Sequence, residues 1–392
     1  MKKLIIILIT LSTCIILSGC WDKVEIDKRS FISTIGIDAG ENIGDIDKFK
    51  KLDKDKSNNE VELKKIKVTF GAPDISKLGP QKSASSQDIY LTTDAVSMED
   101  ALDKASAKMS RDINYGHLKL LIISSELLEN PETVVEIVDY FQRQASINKM
   151  MYVMVAQGKA EDYIKFKPSM EQNIETYISG VMENSDRNSS ILPVTLNELL
   201  IMLSENKNGI IPSLKYDKDK KEMMLSGIAI IKDYKIKGYL SPNETSDIEM
   251  LRGKLKGGKK SIYLEGHPID ISIEGVKRKI SMNNYDDKLY FNIDVYLEAQ
   301  IKGSYIGSKY FTNEYINFIE NSFNKSMEDE CQQVIKITQN KFSVDPIGFR
   351  EYLEKYHPYM WKQKGKVWDE AYKGSIINVK VHTKIRRIGV SK

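Results

Sequence analysis

The sequence predicts an α+β protein of several domains with mixed α and β layers, on three observations. Up to about residue 205, short apolar runs that read as strands alternate with capped amphipathic segments that read as helices. From Leu289 to Ile301 every odd position is apolar, the period-two pattern of a strand buried on one side. From Asn313 to about Lys341 the apolar positions change to helical spacing. An N-terminal domain of interleaved strands and helices should therefore precede a C-terminal antiparallel or mixed sheet packed by a long helix. The expected divisions are a leader (1–19), an α/β domain (20–205), a small β-rich middle domain (206–265) and an α+β domain (266–392).

The leader comes first. Met1-Lys2-Lys3 is a short positive start, and Leu4 to Leu17 is uncharged and strongly apolar. That run is shorter than the about 20 residues a bilayer-spanning helix needs, so it reads as a secretory signal peptide. Leu17-Ser18-Gly19-Cys20 then places an aliphatic residue and two small ones before a cysteine, the order of a bacterial lipobox. The competing reading is an ordinary signal peptide, or an uncleaved anchor, that happens to end in Cys. Class, order and distance from the lysines favour the lipobox. The thiol of Cys20 is the nucleophile that accepts a diacylglyceryl group. Cleavage between Gly19 and Cys20 would free the amine of Cys20 for N-acylation. One acyl chain binds a membrane only marginally and two hold it stably, so the expected product is tethered to a membrane's outer face.

Phe31 to Asp38 reads as a strand with Phe31, Ser33, Ile35 and Ile37 on one face. A solvated Asp/Lys/Asn loop separates it from a strand over Leu63–Phe70. Within that loop Asp53-x-Asp55-x-Ser57 fails as a calcium site, because Asn58 and Lys64 stand where Gly and Glu are required. Another flexible loop, Pro73–Gln87, leads to a strand at Ile89–Thr92. Ser97 with Asp100 starts a helix to about Met109. Leu118–Ile123 reads as a strand buried on both sides, and Asn130-Pro131-Glu132 as the cap and first turn of a helix to about Arg143. Met151–Ala156 is a further interior strand. Ser169 with Gln172, and Thr195 with Glu198, mark two more helix starts on either side of a loop at 183–190.

Leu225–Leu240 reads as a hairpin turning at Lys232-Asp233-Tyr234, and Lys256–Lys260 as a loop and plausible boundary. The strand over 289–301 should pair with Ile269–Ile280. In the long helix Ile319, Phe323, Met327 and Cys331 step by four, continued by Val334 and Ile335. A shorter helix follows Asp345-Pro346 and ends near His357-Pro358. A final strand spans Ile377–Ile385.

Composition narrows the function. The chain has 58 basic and 55 acidic residues, and losing Lys2 and Lys3 with the leader leaves 56 against 55. A near-neutral body carries no electrostatic footprint for nucleic acid. Cys14 leaves with the leader and Cys20 takes lipid, so Cys331 has no disulfide partner and reads as a buried core thiol. There is no G-x-S-x-G or H-E-x-x-H. Ser146-x-x-Lys149 and Ser322-x-x-Lys325 lack the accompanying K-T-G and S-D-N. The four histidines (His117, His267, His357, His382) have no metal-ligand spacing, and His117 reads as a core or strand-edge residue. Tyr352, Tyr356, Tyr359, Trp361, Trp368 and Tyr372 admit a stacking platform, but their helical spacing favours packing over the adjoining sheet. No catalytic residue, metal ligand or cofactor is expected, apart from the covalent lipid at Cys20.

Cys20-Trp21-Asp22 behind a lipobox, followed by FISTIGID, resembles the start of the Ger(x)C lipoproteins, the C subunits of spore germinant receptors. The same resemblance continues in order through YGHLKLLIIS (115–124), FQRQASINK and VAQGKAEDYI (within 141–164) and LPVTLNELL (192–200). GIAIIKDYKIKGYLS (227–241), DPIGFREYLEKYHPYMWK (345–362) and VKVHTKIRRIG (379–389) complete it. Pro346 and the long 41–60 loop depart from the pattern. The resemblance implies three mixed domains and a non-enzymatic lipoprotein on the outer face of the spore inner membrane. Its implied partners are an integral-membrane A subunit, a transporter-like B subunit and the lipid bilayer. The other readings are a solute-binding lipoprotein that captures a small ligand between domains, and an envelope hydrolase, which the missing motifs disfavour.

Overall fold

The computed structural model describes residues 28–45, 63–74, 88–217, 219, 222–304 and 312–388. The leader, Gly19, Cys20, the Asp53–Ser57 stretch and the Ser83–Ser86 loop lie outside the described residues. Within them, two large sheets organise the chain.

The first sheet has eight strands. Its four central strands run parallel: β2 (Thr34–Ala39), β6 (Leu120–Ser124), β7 (Tyr152–Ala156) and β8 (Gly209–Asp217). An antiparallel pair closes each side, β3 (Ile66–Pro73) with β4 (Asp88–Ala95), and β9 (Glu222–Lys232) with β10 (Lys235–Leu240). As the continuous apolar runs predict, β6 and β7 are buried on both faces. Alternate residues feed separate cores. Leu121, Ile123, Val153 and Val155 meet α1 (Met98–Ser106), α2 (Pro131–Arg143) and α5 (Leu196–Asn206). Leu120, Ile122 and Met154 meet α3 (Ala160–Ile164) and α4 (Ile174–Glu183). Close packing of α3 on β2 requires a glycine, since a Cβ on Gly36 would stand 2.8 Å from Ile164. Beside it the Asp38 carboxylate accepts from the backbone N–H groups of Ala160 (2.6 Å) and Glu161 (2.9 Å), the first turn of α3.

Several expected boundaries move. The strand expected over 31–38 is two strands: β1 (Arg29–Phe31) pairs with β5 (Asp112–Asn114) in a separate two-stranded sheet. The chain crosses over at Ile32 and Ser33, whose N–H groups donate to Asn114 and Gly71 carbonyls respectively. Asn173, rather than Ser169, caps α4, accepting from Thr176 N at 2.9 Å. Asn130 stands at the start of α2 but its side chain donates backwards to the Glu126 carbonyl instead of capping, while Pro131 and Glu132 form the first turn as expected. The 233–234 hairpin turn is as expected, with both residues at positive φ.

The second sheet runs β11 (Gly258–Leu264), β12 (His267–Tyr285), β13 (Lys288–Ser304) and β14 (Ile376–Ile388). The first three are antiparallel, and β14 joins β13 in parallel. The expected β12–β13 pairing and the burial of the odd positions of β13 are present. The segment expected as a middle domain is divided between the sheets, because β8–β10 complete the first and β11 opens the second. Gly258 to Lys260, read as loop, belongs to β11.

The long helix α7 (Asn313–Ile337) continues into a π-turn over Thr338–Phe342. Its predicted stripe, from Ile319 to Ile335, is buried. The same helix also covers the outer edge of β14. Glu328, Asn324 and Glu320 accept from the backbone N–H groups of Val381 (3.0 Å), Thr383 (2.9 Å) and Ile385 (2.7 Å). The match is geometric: four helical residues rise about 6 Å, and two strand residues about 6.7 Å. An acceptor every helical turn thus meets every second strand donor.

Replacing Asn324 by Leu should lower unfolding stability by about 1–3 kcal/mol by leaving the buried Thr383 N–H unpaired. Asn324→Asp keeps an acceptor and should lose less. Equal losses in denaturant titration would show that the acceptor is not what stabilises the edge.

Candidate functional site

Between the sheets lies α6 (Pro242–Arg252), where no apolar stripe marks a helix and the sequence reading assigns no element. Its signals are terminal. Ser241 Oγ accepts from Glu244 N, the Glu244 carboxylate accepts from Ser241 N, Pro242 occupies the first turn, and Gly253 ends the helix at φ 67°. Every residue from Thr245 to Leu251 is buried. The helix packs against β9 and β10 on one side and β12, β13 and α7 on the other.

A helix buried all round must find partners for its polar residues. Asp247 meets Lys260 of β11 at 2.7 Å, and the same ammonium reaches Glu330 of α7 at 2.7 Å. Burial pushes the Asp247 carboxyl up to about 6, against the pull of Lys260. Lys260 also moves up, but for the opposite reason: burial pulls it down, and two carboxylates outweigh that and raise it above the ordinary lysine range. The asymmetry follows from the count of partners, one cation for Asp247 and two anions for Lys260.

Beside α6 a cleft of about 950 Å³ separates the sheets, lined among others by Glu198, Met202, Glu249, Lys254 and Val276. A smaller chamber of about 300 Å³ adjoins it and shares Met202, Ile210, Arg252 and Lys254 with it. On the helix wall of the cleft, the capping box expected at Thr195 and Glu198 is present. At one end Gly257 and Gly258 lie against the 186–189 loop, where an added Cβ would run into Asp186 O or Ser189. That contact explains the glycine pair that read as a boundary. In the chamber, Arg278 Nη1 donates to the carbonyls of Leu251 and Ile347 (2.9 Å each), and Arg252 to that of Pro346 (3.3 Å). Asp345 accepts from the N–H groups of Ile347, Gly348 and Arg350. Arg350 also pairs with Glu205 of α5 at 2.6 Å.

The residues singled out from sequence are dispersed. His117 is exposed, its ring edge-on to Phe31, rather than in the core. His382 faces Asp294 at 3.0 Å and stacks on Tyr296. No group of three or more potential metal ligands occurs among the described residues. Lys149 donates to the Gln142 carbonyl rather than serving Ser146. Cys331 is buried, and burial holds its thiol well above the ordinary range. The aromatic stretch divides in two. Trp368 and Tyr372 are core, with Tyr372 OH bonded to Thr338 at 2.7 Å, while Tyr356 and Tyr359 are 60% and 83% exposed. No described helix is long and apolar enough to cross a membrane.

Comparison with known proteins covers nearly the whole chain. Residues 22–216 match the family described as spore germination protein N-terminal domain, and 226–389 that described as spore germination B3/GerAC like, C-terminal. Spore germination protein B3 of Bacillus subtilis (strain 168) is 23% identical over 377 residues, 95% of each chain. Spore germination protein A3 of the same organism is 23% identical, covering 96% of this chain and 95% of the other. The crystal structure of the GerBC protein superposes with a TM-score of 0.60 at 22% identity, over 82% of this chain and 93% of that one. The break between the two matched regions falls in the β8–β9 connection, inside one continuous sheet.

Lys260→Met should cost about 3–5 kcal/mol by stranding the buried Asp247 carboxylate, and adding Asp247→Leu should recover much of the loss in thermal unfolding. Because the folded Asp247 binds its proton more tightly than the unfolded chain does, its contribution is most favourable below about pH 4. Relative to Asp247→Asn, the wild-type chain should lose stability, by up to about 3 kcal/mol, as pH rises from about 4 to about 6.

Proposed function

The chain belongs to the GerAC-like family of spore germination proteins, and from that premise we propose that it is the lipid-anchored subunit of a germinant receptor complex. It serves nutrient-triggered germination by protein contact and not by catalysis. The observation that carries the reading is one of position: the matched family region begins at residue 22, two residues beyond the lipobox cysteine, Cys20. Cys20 becomes the first residue of the mature chain and holds it on the outer face of the spore inner membrane through thioether-linked and N-linked acyl chains. The tether confines both sheets near an integral-membrane A subunit and a transporter-like B subunit. Confinement raises their effective concentration, so contacts of modest intrinsic affinity suffice for assembly. Family membership over both halves supports the germination role, and relatives named for germination match this chain over at least 95% of its length.

Cys20→Ala should leave uncleaved precursor or release the protein to the aqueous fraction, read by fractionation and mass spectrometry of the N-terminus. Spores carrying it should germinate poorly on nutrients while responding normally to a non-nutrient trigger. A processed Cys20→Ala chain retained on membranes, or an unmodified thiol at Cys20 in the wild type, would overturn the tether. A purified chain that turns over a substrate would overturn the contact mechanism.

A further inference from the structure

Three cations from successive parts of the fold meet in the chamber beside the cleft. Arg252 ends α6, Lys254 follows its glycine stop, and Arg278 projects from β12. The two guanidinium groups are held by backbone carbonyls, Arg278 by Leu251 and Ile347 and Arg252 by Pro346. Carbonyls orient a guanidinium without cancelling its charge. The nearest carboxylate to either is Glu249, 3.4 Å from Arg252 Nε. The Lys254 backbone N–H donates to the Glu249 carbonyl at 3.0 Å, but its ammonium makes no hydrogen bond or ion pair among the described residues.

The chamber also holds acids, and two of them, Asp345 and Glu351, face Arg278 and pull its pKa up. Glu205 pairs with Arg350, and the Asp345 carboxylate is filled by three backbone N–H groups. Glu351, the remaining acid, lies close enough to Asp345 to repel it. Glu198 and Glu249 face Lys254 from the larger cleft. Even so, the Arg252 charge, followed by burial, holds the Lys254 ammonium below the ordinary lysine range. On Arg278, burial and then Arg252 act in the same direction and outweigh Asp345 and Glu351, so its guanidinium is held below the ordinary arginine range. Crowded cations with donors to spare, in a concave site where two structural units meet, are the features of an anion site.

The geometry points to this chamber as a binding site for a small solute bearing a carboxylate or phosphate group. The oxyanion sits between Lys254 Nζ and the Arg278 guanidinium, and the rest of the solute lies in the adjoining cleft beside Met202 and Val276. The site is independent of the lipid tether. Because its walls come from both sheets, an occupied chamber would hold them together.

The test is calorimetry on the full chain in detergent, titrated with sodium succinate and with sodium phosphate at constant ionic strength, with glycerol as a neutral control. Saturable binding of one or both anions is expected, with none of glycerol, and the titration that saturates identifies the oxyanion. Lys254→Gln, at a side chain that makes no hydrogen bond or ion pair within 4 Å among the described residues, should weaken binding by about tenfold or more without affecting folding. In the wild type, acylation of Lys254 by an amine-reactive ester, read by mass spectrometry, should slow on addition of the bound anion. No saturable binding of either anion, or binding that Lys254→Gln leaves unchanged, would overturn the proposal.

Discussion

The architecture turns on a short helix with no free face. α6 is enclosed by the edge pair of one sheet, the long strands of the other and α7, so neither sheet can shift without disturbing it. Such a position makes polar side chains costly unless each finds a partner. Asp247 does so through Lys260, which carries the connection on to Glu330. A buried ion pair adds less net stability than its short distances suggest, since desolvation offsets most of the attraction. Its larger effect is on position: alternative placements of the helix leave an ion without a partner, so they are disfavoured by several kcal/mol. The cleft and its chamber inherit their shape from that placement, since Arg252 and Lys254 emerge from the end of the same helix.

Much of the fold was legible because it rests on local pattern. The apolar runs 118–123 and 151–156 announced strands covered on both sides, and alternation over 289–301 announced the half-buried β13. The four-residue steps from Ile319 to Cys331 marked the stripe of α7. Reading failed where a neighbour distant in sequence decides the outcome. Phe31 and Ile35 belong to one alternating pattern, yet Asn114 and Gly71 draw the two ends into different sheets. Residues 206–265 read as a separate middle domain, but β8 pairs with β7, and the first sheet absorbs β8 and the hairpin that follows it. α6 escaped notice because a helix buried on every side shows no amphipathic period. Its Ser241–Glu244 box and Gly253 stop were the available signals.

The two sites differ in the same way. The lipobox proposed at Cys20 would be a linear chemical address, read by enzymes from an extended chain, so composition and order suffice to find it. The chamber is assembled from Arg252, Lys254, Arg278 and Asp345, whose spacing follows no motif and whose proximity depends on how the two sheets meet. Searching for catalytic signatures passes over such a place, because binding an oxyanion needs charge and concavity rather than a nucleophile and a base. Pro346 shows the same dependence on context. It departed from the family pattern in sequence, yet in the structure its carbonyl is what receives Arg252.

The arrangement of α7 along β14 bears on how copies of the chain behave when crowded. A strand at the rim of a sheet ordinarily offers a row of backbone donors to any passing strand, which is how lateral stacking into fibrils begins. Here Glu320, Asn324 and Glu328 occupy those donors from within the same molecule. Crowded neighbours therefore find that rim closed to strand exchange, so lateral stacking cannot begin from those donors.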